Sequence, residues 1–211
     1  MNIIKRPFRY RYDNVVLILI ALNVLVYLAE LFFKSFPVTI YFSMIPLAVL
    51  REGWIWQFVT YMFVHDPSSM SHLIFNMLAL FIFGRQVEHQ MGSREFLLYY
   101  LLTGILAGVF SFVVYLNTGF MLVRLMGASG AVFAVQLAFA AFFPRSIIYI
   151  WGILPLRAPI MVLGFTALEL FFMLTGRGGN VAHTTHLAGF GFGWIYFLVR
   201  FGINPWRAMR R

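Results

Sequence analysis

One serine of the chain is set among glycines at the start of an apolar segment. Ser129 lies in the sequence MGASGA (126–131), and of the nine serines it alone has glycine at positions −2 and +1. Glycine lets a second backbone approach closely. A helix that begins here would offer unpaired N–H groups, which can stabilise an oxyanion. The segment predicts either a serine nucleophile or, in a purely structural interpretation, a small-residue face for helix packing.

A histidine lies one turn inside the last apolar segment, at His186. Gly189 and Gly193 follow at i+3 and i+7, and this stripe predicts close packing against the helix that carries Ser129. An ionisable residue within a membrane span is a functional candidate by default. A serine and a histidine at one depth on two close-packed helices form a nucleophile and its general base. His183 is nearer the surface, and we predict an interfacial or structural role for it.

Two more polar side chains share a helix face near the same level. His72 and Asn76 are four residues apart, and both can donate hydrogen bonds to an oxyanion. The alternative is a polar clamp between helices. Glu169 is the one carboxylate well inside a span other than Glu30. It could orient His186 as a third catalytic member, but we favour a structural contact with a neighbouring helix or a gate.

The composition is that of a membrane protein. Hydrophobic residues make up 62% of the 211 residues and charged residues only 11%, whereas soluble domains have about 25% charged residues. The absence of cysteine excludes disulfides and thiolate metal sites. The net charge of +9 comes from short clusters of Lys and Arg between apolar spans. This distribution argues against nucleic-acid binding and for contact with membrane lipids.

The elements that must position these side chains are six apolar segments. The first is too long for the apolar region of a cleaved signal peptide, so we predict a retained span. The stretch 34–70 is broken by three prolines, and we predict a loop at the membrane interface. The fourth segment is too short to cross a hydrocarbon core of about 30 Å at full depth, so its first turn, with Ser129, should lie below the membrane surface. The six segments cover about 14–33, 71–84, 96–116, 128–143, 159–175 and 182–202.

The distribution of basic residues predicts the orientation. Six spans place both termini on one side, which collects twelve Lys and Arg residues against four on the other. The positive-inside rule then puts both termini in the cytoplasm. We predict an all-α polytopic protein with a short basic cytoplasmic N-terminus (1–13), a six-span core (14–203) and a basic cytoplasmic tail (204–211). We expect it in a bacterial inner membrane, with the site toward the non-cytoplasmic side.

In combination these motifs resemble the rhomboid family of intramembrane serine proteases. The resemblance runs from about Trp54 to Trp194, and the pairing of a Gly-x-Ser-Gly with a His-x-x-Gly on separate spans is its most specific part. The motifs are His72 with Asn76, GRQVE (84–88), Gly92-Ser93, GASG (127–130) and HLAG (186–189).

The resemblance implies a six-helix core and a serine–histidine dyad. Ser129 would be the nucleophile and His186 the general base. His72 and Asn76 would form the oxyanion hole together with the Ser129 N–H, while Gly127 and Phe133 would support the site. It also implies single-pass transmembrane proteins as substrates, with no cofactor and no metal; the oligomeric state stays open.

Three alternatives remain at this point. The first is a catalytically inactive rhomboid-like membrane protein that binds transmembrane clients. The second is a metal transporter that uses His72, His183 and His186, although neutral imidazoles alone make a poor path for cations. The third is a purely structural six-span protein.

Overall fold

The computed structural model describes residues 7–32, 37–150, 152–176 and 180–210, with only the main chain for 180–182. Five of the sixteen basic residues used for the orientation (Lys5, Arg6, Lys34, Arg177 and Arg211) lie outside the described residues.

Long helices coincide with the six apolar segments. Within the described ranges, four are long and apolar enough to cross a membrane: Val15–Phe32, Met70–Met91, Ser93–Thr118 and Ala158–Thr175. In chain order, and apart from the short α2–α4 (between residues 38 and 60), the helices are α1 (Val15–Phe32), α5 (Met70–Ala79), α6 (Arg85–Met91), α7 (Ser93–Thr118), α8 (Ser129–Phe142), α9 (Ala158–Thr175), α10 (Asn180–Tyr196) and the short α11 (Pro205–Met209). A π-helical turn (Leu80–Gly84) joins α5 to α6 without a break, and a second (Phe197–Phe201) extends α10.

The segment before α5 contains helices where we predicted a loop. They are α2 (Val38–Phe42), α3 (Pro46–Glu52) and α4 (Gln57–Thr60), and none is long enough to span. The buried Gln57 holds them together, because its Oε1 accepts from Ile45 N (3.0 Å) and its Nε2 donates to Ile40 O (3.2 Å). The prolines prevent a single helix but allow short ones between them. The prediction of a loop was therefore wrong, and that of no span in this stretch was right.

Helix α8 is the centre of the fold. Almost all of its residues are buried, from Gly130 to Ala141, and it packs against α5, α7, α9 and α10. Small side chains allow this: an added Cβ on Gly189 of α10 would lie 1.9 Å from the Gly130 carbonyl oxygen. A helix that is apolar on all sides is typical of a protein core or of a membrane interior. The predicted packing of the glycine stripe on the small face of α8 is confirmed.

Buried carboxylates join the chain ends at one end of the bundle. Glu88 accepts from the N–H groups of Val15 and Val16 at 2.7 and 3.0 Å and so caps α1. Glu95 is bonded to Arg200 near the end of α10 at 2.7 Å. We call this the Glu95 end. Since α7 begins here and runs 26 residues before the segment leading to Ser129, Ser129 lies at the opposite end, the Ser129 end.

One departure from the predicted all-α fold is a β-hairpin between α8 and α9. Strand β1 (Ile147–Ile150) pairs antiparallel with β2 (Leu154–Arg157), and Tyr149 faces Pro155. Side chains alternate along β1, with Ile148 and Ile150 the less exposed pair. Gly152 in the turn has φ 71°, which suits glycine. β-Branched residues and an aromatic residue favour a strand over a loop here.

Candidate active site

Ser129 is the first residue of α8, as the glycine-flanked segment predicts. The preceding Gly127 has φ 113°, and its N–H donates to Tyr61 O at 2.9 Å. A Cβ on Gly127 would lie 2.8 Å from His72 Cε1. Glycine is needed here both for its backbone conformation and for the closeness of the imidazole.

His186 and Ser129 are in hydrogen-bond contact. The distance between His186 Nε2 and Ser129 Oγ is 2.7 Å. Phe133, one turn after the serine, stacks on the imidazole with ring centroids 4.6 Å apart and planes 9° from parallel. The close approach of Gly189 to Gly130 brings α10 near enough to α8 for this pair. The geometry is that of a serine with a base able to take its proton.

The other ring nitrogen of His186 faces a carboxylate on α9. Glu169 Oε2 lies 3.1 Å from His186 Nδ1 and 2.5 Å from His183 Nδ1. The shorter contact is a hydrogen bond, whereas the His186 Nδ1 has no well-aligned partner among the described residues. Glu169 thus links α9 to α10 chiefly through His183. The donor atoms of Glu169, His183 and His186 lie within 4.8 Å of one another, so these three could also hold a metal ion.

His72 and Asn76 line the same cavity as the serine and the histidine. Asn76 is 6% exposed, and its Nδ2 donates to the His72 carbonyl at 2.9 Å within the helix. One further Asn76 N–H remains for another acceptor. The His72 ring lies 5.2 Å from that of the buried His65. Both predicted oxyanion donors are therefore within the site.

An open groove extends from these residues along α8. Its volume is about 530 Å³, and it lies between α5 and α9, with α8 as its floor and β1 at its far end. The hairpin and Gln136 are groove residues that we did not predict from the sequence. The lining is otherwise mostly apolar: Phe75, Leu78, Ala79, Ile82, Phe83, Val132, Ile148, Ile150, Met161, Phe165 and Leu168.

Comparison with known proteins identifies the family. Residues 52–203 match the Rhomboid domain, which is more than half of the chain and includes every site residue above. The chain belongs to the rhomboid family. It is an integral membrane protein with the apolar helices of that family.

Several curated rhomboid proteins are similar to this chain over part of their length. Rhomboid protease GluP of Bacillus subtilis is 38% identical over 86 residues, which cover 41% of this chain and 15% of that protein. Rhomboid protease GlpG of Haemophilus influenzae is 29% identical over 130 residues, or 62% of this chain and 63% of that protein. Rhomboid-like protein 11 of Arabidopsis thaliana, described as chloroplastic, is 34% identical over 117 residues, or 56% of this chain and 38% of that protein. The chain thus spans less than two thirds of the length of these rhomboid relatives.

Proposed function

We propose that this rhomboid protein is a serine endopeptidase that cleaves membrane-protein substrates in or next to their transmembrane segments. The observation that carries the proposal is the 2.7 Å contact between Ser129 Oγ and His186 Nε2 at the wall of an open groove. Two relatives whose names describe them as rhomboid proteases support it.

The reaction begins when Ser129 Oγ attacks the scissile carbonyl carbon. His186 Nε2 takes the hydroxyl proton as the new C–O bond forms, and the carbonyl oxygen becomes negatively charged. His186 then gives the proton to the leaving amine as the C–N bond breaks, which leaves an acyl ester on Ser129. A water molecule, deprotonated by the same nitrogen, hydrolyses the ester and restores the serine. The stack on Phe133 holds the imidazole plane in place throughout.

Hydrogen-bond donors on α8 and α5 stabilise the negative charge on the carbonyl oxygen. The N–H of Ser129 at the start of α8 provides one donor, and His72 and Asn76 provide the others. The site lies among apolar side chains, where unpaired charge is costly and where aligned donors have more effect than in water.

We assign Glu169 to the packing of α9 on α10 rather than to a catalytic triad. Its hydrogen bond goes to His183, while its contact with His186 is longer and poorly aligned. The serine proton goes to Nε2, because this is the ring nitrogen that lies 2.7 Å from Ser129 Oγ.

The groove is the proposed site for the substrate span. It is apolar along its walls, and α5 and α9 stand on its two sides, so a single transmembrane segment can lie along α8 with its scissile bond at Ser129. We further propose that all six helices span the membrane, with both termini cytoplasmic. The site then faces the non-cytoplasmic side, and a bacterial inner membrane fits this arrangement.

A serine-reactive probe tests the chemistry directly. A fluorophosphonate should label the purified full chain in detergent, and a chelator should not change the labelling. Ser129→Ala should abolish labelling, whereas Ser71→Ala should not, although Ser71 lines the same groove. Labelling that persists in Ser129→Ala would refute the proposal. Absence of labelling in the wild type would instead favour an inactive client-binding protein.

Cleavage of a single-span reporter substrate tests the pair. Ser129→Ala and His186→Ala should each abolish turnover, and the double variant should be no worse than either, because residues that act as one unit have non-additive effects. Near-native turnover in either single variant would mean that the pair is wrongly assigned.

A further inference from the structure

A buried side-chain amide in the floor of the groove has no role in the proposed reaction. Gln136 is 7% exposed and lines the groove. Its Oε1 is buried without a hydrogen-bond partner among the described residues. It follows Ser129 by seven residues on α8, which is two helical turns and about 10 Å along the axis on the same face.

The surroundings of Gln136 are apolar. Val132 precedes it by one turn, Met161 and Phe165 belong to the facing helix α9, and Ile148 belongs to the hairpin. An amide in such a place costs free energy unless it is hydrogen-bonded, and a membrane interior has little water to compensate. Buried polar side chains in folded proteins nearly always have a partner. In the proposed reaction, a substrate span that lies along α8 would reach this position.

We propose that the Gln136 amide is a recognition subsite for a carboxamide side chain of the substrate span, on the membrane-buried side of the scissile bond. A primary amide has a donor and an acceptor, so it pairs reciprocally with a second amide. Apolar side chains cannot satisfy it. The subsite rests on the proposed function, since it places the substrate along α8 with its cleaved bond at Ser129.

The distance along α8 sets where the substrate amide must be. About 10 Å corresponds to about three residues of an extended chain or about seven residues of a helix. A substrate amide at any other depth meets the apolar wall and gains nothing. Recognition should therefore depend on position along the span and not merely on polarity.

A positional scan of one substrate tests the subsite. A single Asn is moved through eight positions on the buried side of the cut in an otherwise Leu-rich span, and kcat/KM is compared with that of the all-Leu parent. The wild type should favour Asn about tenfold at one or two adjacent positions, the effect of one or two buried hydrogen bonds. No positional maximum in the wild type would overturn the proposal.

Variants of the enzyme identify the residue responsible. Gln136→Leu and Gln136→Met should lose the maximum and still cleave the all-Leu parent. Gln86→Leu is the matched control, because Gln86 is exposed and its side chain donates to Ile82 O, one turn earlier in its own helix. Fluorophosphonate labelling and the melting temperature verify that each variant is folded. A maximum that survives in both Gln136 variants, or an equal loss on every substrate, would contradict the proposal.

A binding measurement separates this inference from the proposed protease activity. Fluorescently labelled Asn-containing and all-Leu spans are titrated against Ser129→Ala protein, with and without Gln136→Leu. The Asn span should bind more tightly only when Gln136 is present, whether or not the wild type turns over. Equal affinities for the two spans would reject the subsite even if cleavage is observed.

Discussion

In the proposed mechanism, two side chains of α5 stabilise the charge on the attacked carbonyl oxygen. His72 is held against Gly127, the residue two before the serine. Asn76 is almost fully buried and lines the groove one turn farther along α5. The same positions would also suit a polar clamp that joins α5 to α8. The two roles lead to different effects on activity and on stability.

Asn76→Ala should lower turnover about tenfold to a hundredfold, somewhat less than the hundred- to thousandfold loss for a sole oxyanion donor, because three groups share the charge. His72→Ala should lower turnover at least as much. Neither change should prevent fluorophosphonate labelling of Ser129 altogether. Turnover per folded molecule and melting temperature, measured on the same preparations, distinguish the roles. Unchanged turnover with a lowered melting temperature would establish the clamp.

His65, which lies before the α5 span, predicts that the stability of the protein depends on pH. Burial lowers the pKa of His65 to about 4, and the nearby His72 contributes. The unfolded chain, with the ordinary pKa of 6.5, therefore binds more protons between pH 6.5 and 4. The free energy of unfolding should fall as the pH drops through this window, by up to about 3 kcal/mol.

Thermal melts in detergent at several pH values from 7 to 4.5 measure this effect. The lower limit keeps Asp66 ionised, because its hydrogen bonds with Ser68 lower the pKa of that carboxyl below its ordinary value of 3.8. His65→Phe should flatten the dependence, and His89→Gln, a change at an exposed histidine, should not. An equally steep dependence in His65→Phe would assign the effect to other groups.

The sequence predicted the site residues best where a motif is local. It predicted them least well where a contact depends on which face each helix turns toward its neighbour. Ser129 and His186 could be paired from two short motifs, because both were predicted to lie near the start of spans that begin on the same side. Phe133 followed from the family resemblance. The contact of Glu169 with two histidines depends on how α9 faces α10. Gln136 is one polar residue in an apolar run, and no pattern distinguishes a groove-facing position from a packed one.

Two glycines on facing helices set the distance between Ser129 and His186. A Cβ on Gly189 would lie 1.9 Å from the Gly130 carbonyl oxygen, which is a rigid backbone atom. The helices would have to separate to accommodate it. Gly191 lies two residues farther along α10, and a Cβ there would have no neighbour within 4 Å among the described residues.

Gly189→Ala should therefore destabilise the protein by about 1–3 kcal/mol, as overpacking does in well-packed cores. Turnover of the folded fraction should also fall, since the separation of α8 and α10 moves His186 away from Ser129. Gly191→Ala should be neutral or slightly stabilising, because alanine favours a helix over glycine. The melting temperature and the cleavage rate of both variants provide the comparison. Equal behaviour of the two variants would show that the close approach is unimportant.

The hairpin shows why short elements escape sequence interpretation. Each strand has four residues, too few for an alternating pattern to stand out beside the apolar helices. Pro155 also argues against a strand, yet in a two-stranded ribbon it can occupy a position that needs no donor. Strand β1 of the hairpin lines the groove, so part of the proposed substrate site could not be predicted from motifs.

For the molecule as a whole, the bonds at the Glu95 end bring the start of α1 and the end of the last long helix together. Glu88 accepts from the start of α1, and Glu95 bonds Arg200 near the end of α10. Both chain ends of the bundle therefore lie together. Under the positive-inside rule, the bias of basic residues, twelve against four, predicts that this end is cytoplasmic. The shortest of the six proposed spans are α8, with 14 residues, and α10, with 17 before its π-helical turn.

Single cysteines can test the predicted sides of both chain ends and of three connecting segments, because the chain has no cysteine of its own. With six spans, Ser68→Cys and Asn117→Cys should react with a membrane-impermeant maleimide on intact spheroplasts. Arg9→Cys, Ser146→Cys and Arg207→Cys should react only after permeabilisation.

The decisive pair is Asn117 and Ser146, which flank α8. Its 14 residues extend about 21 Å against a core of about 30 Å, so the bilayer must thin or the helix must start below the surface. Labelling of both from the outside would mean that α8 does not cross, and Ser129 could not then serve a substrate span from the non-cytoplasmic side.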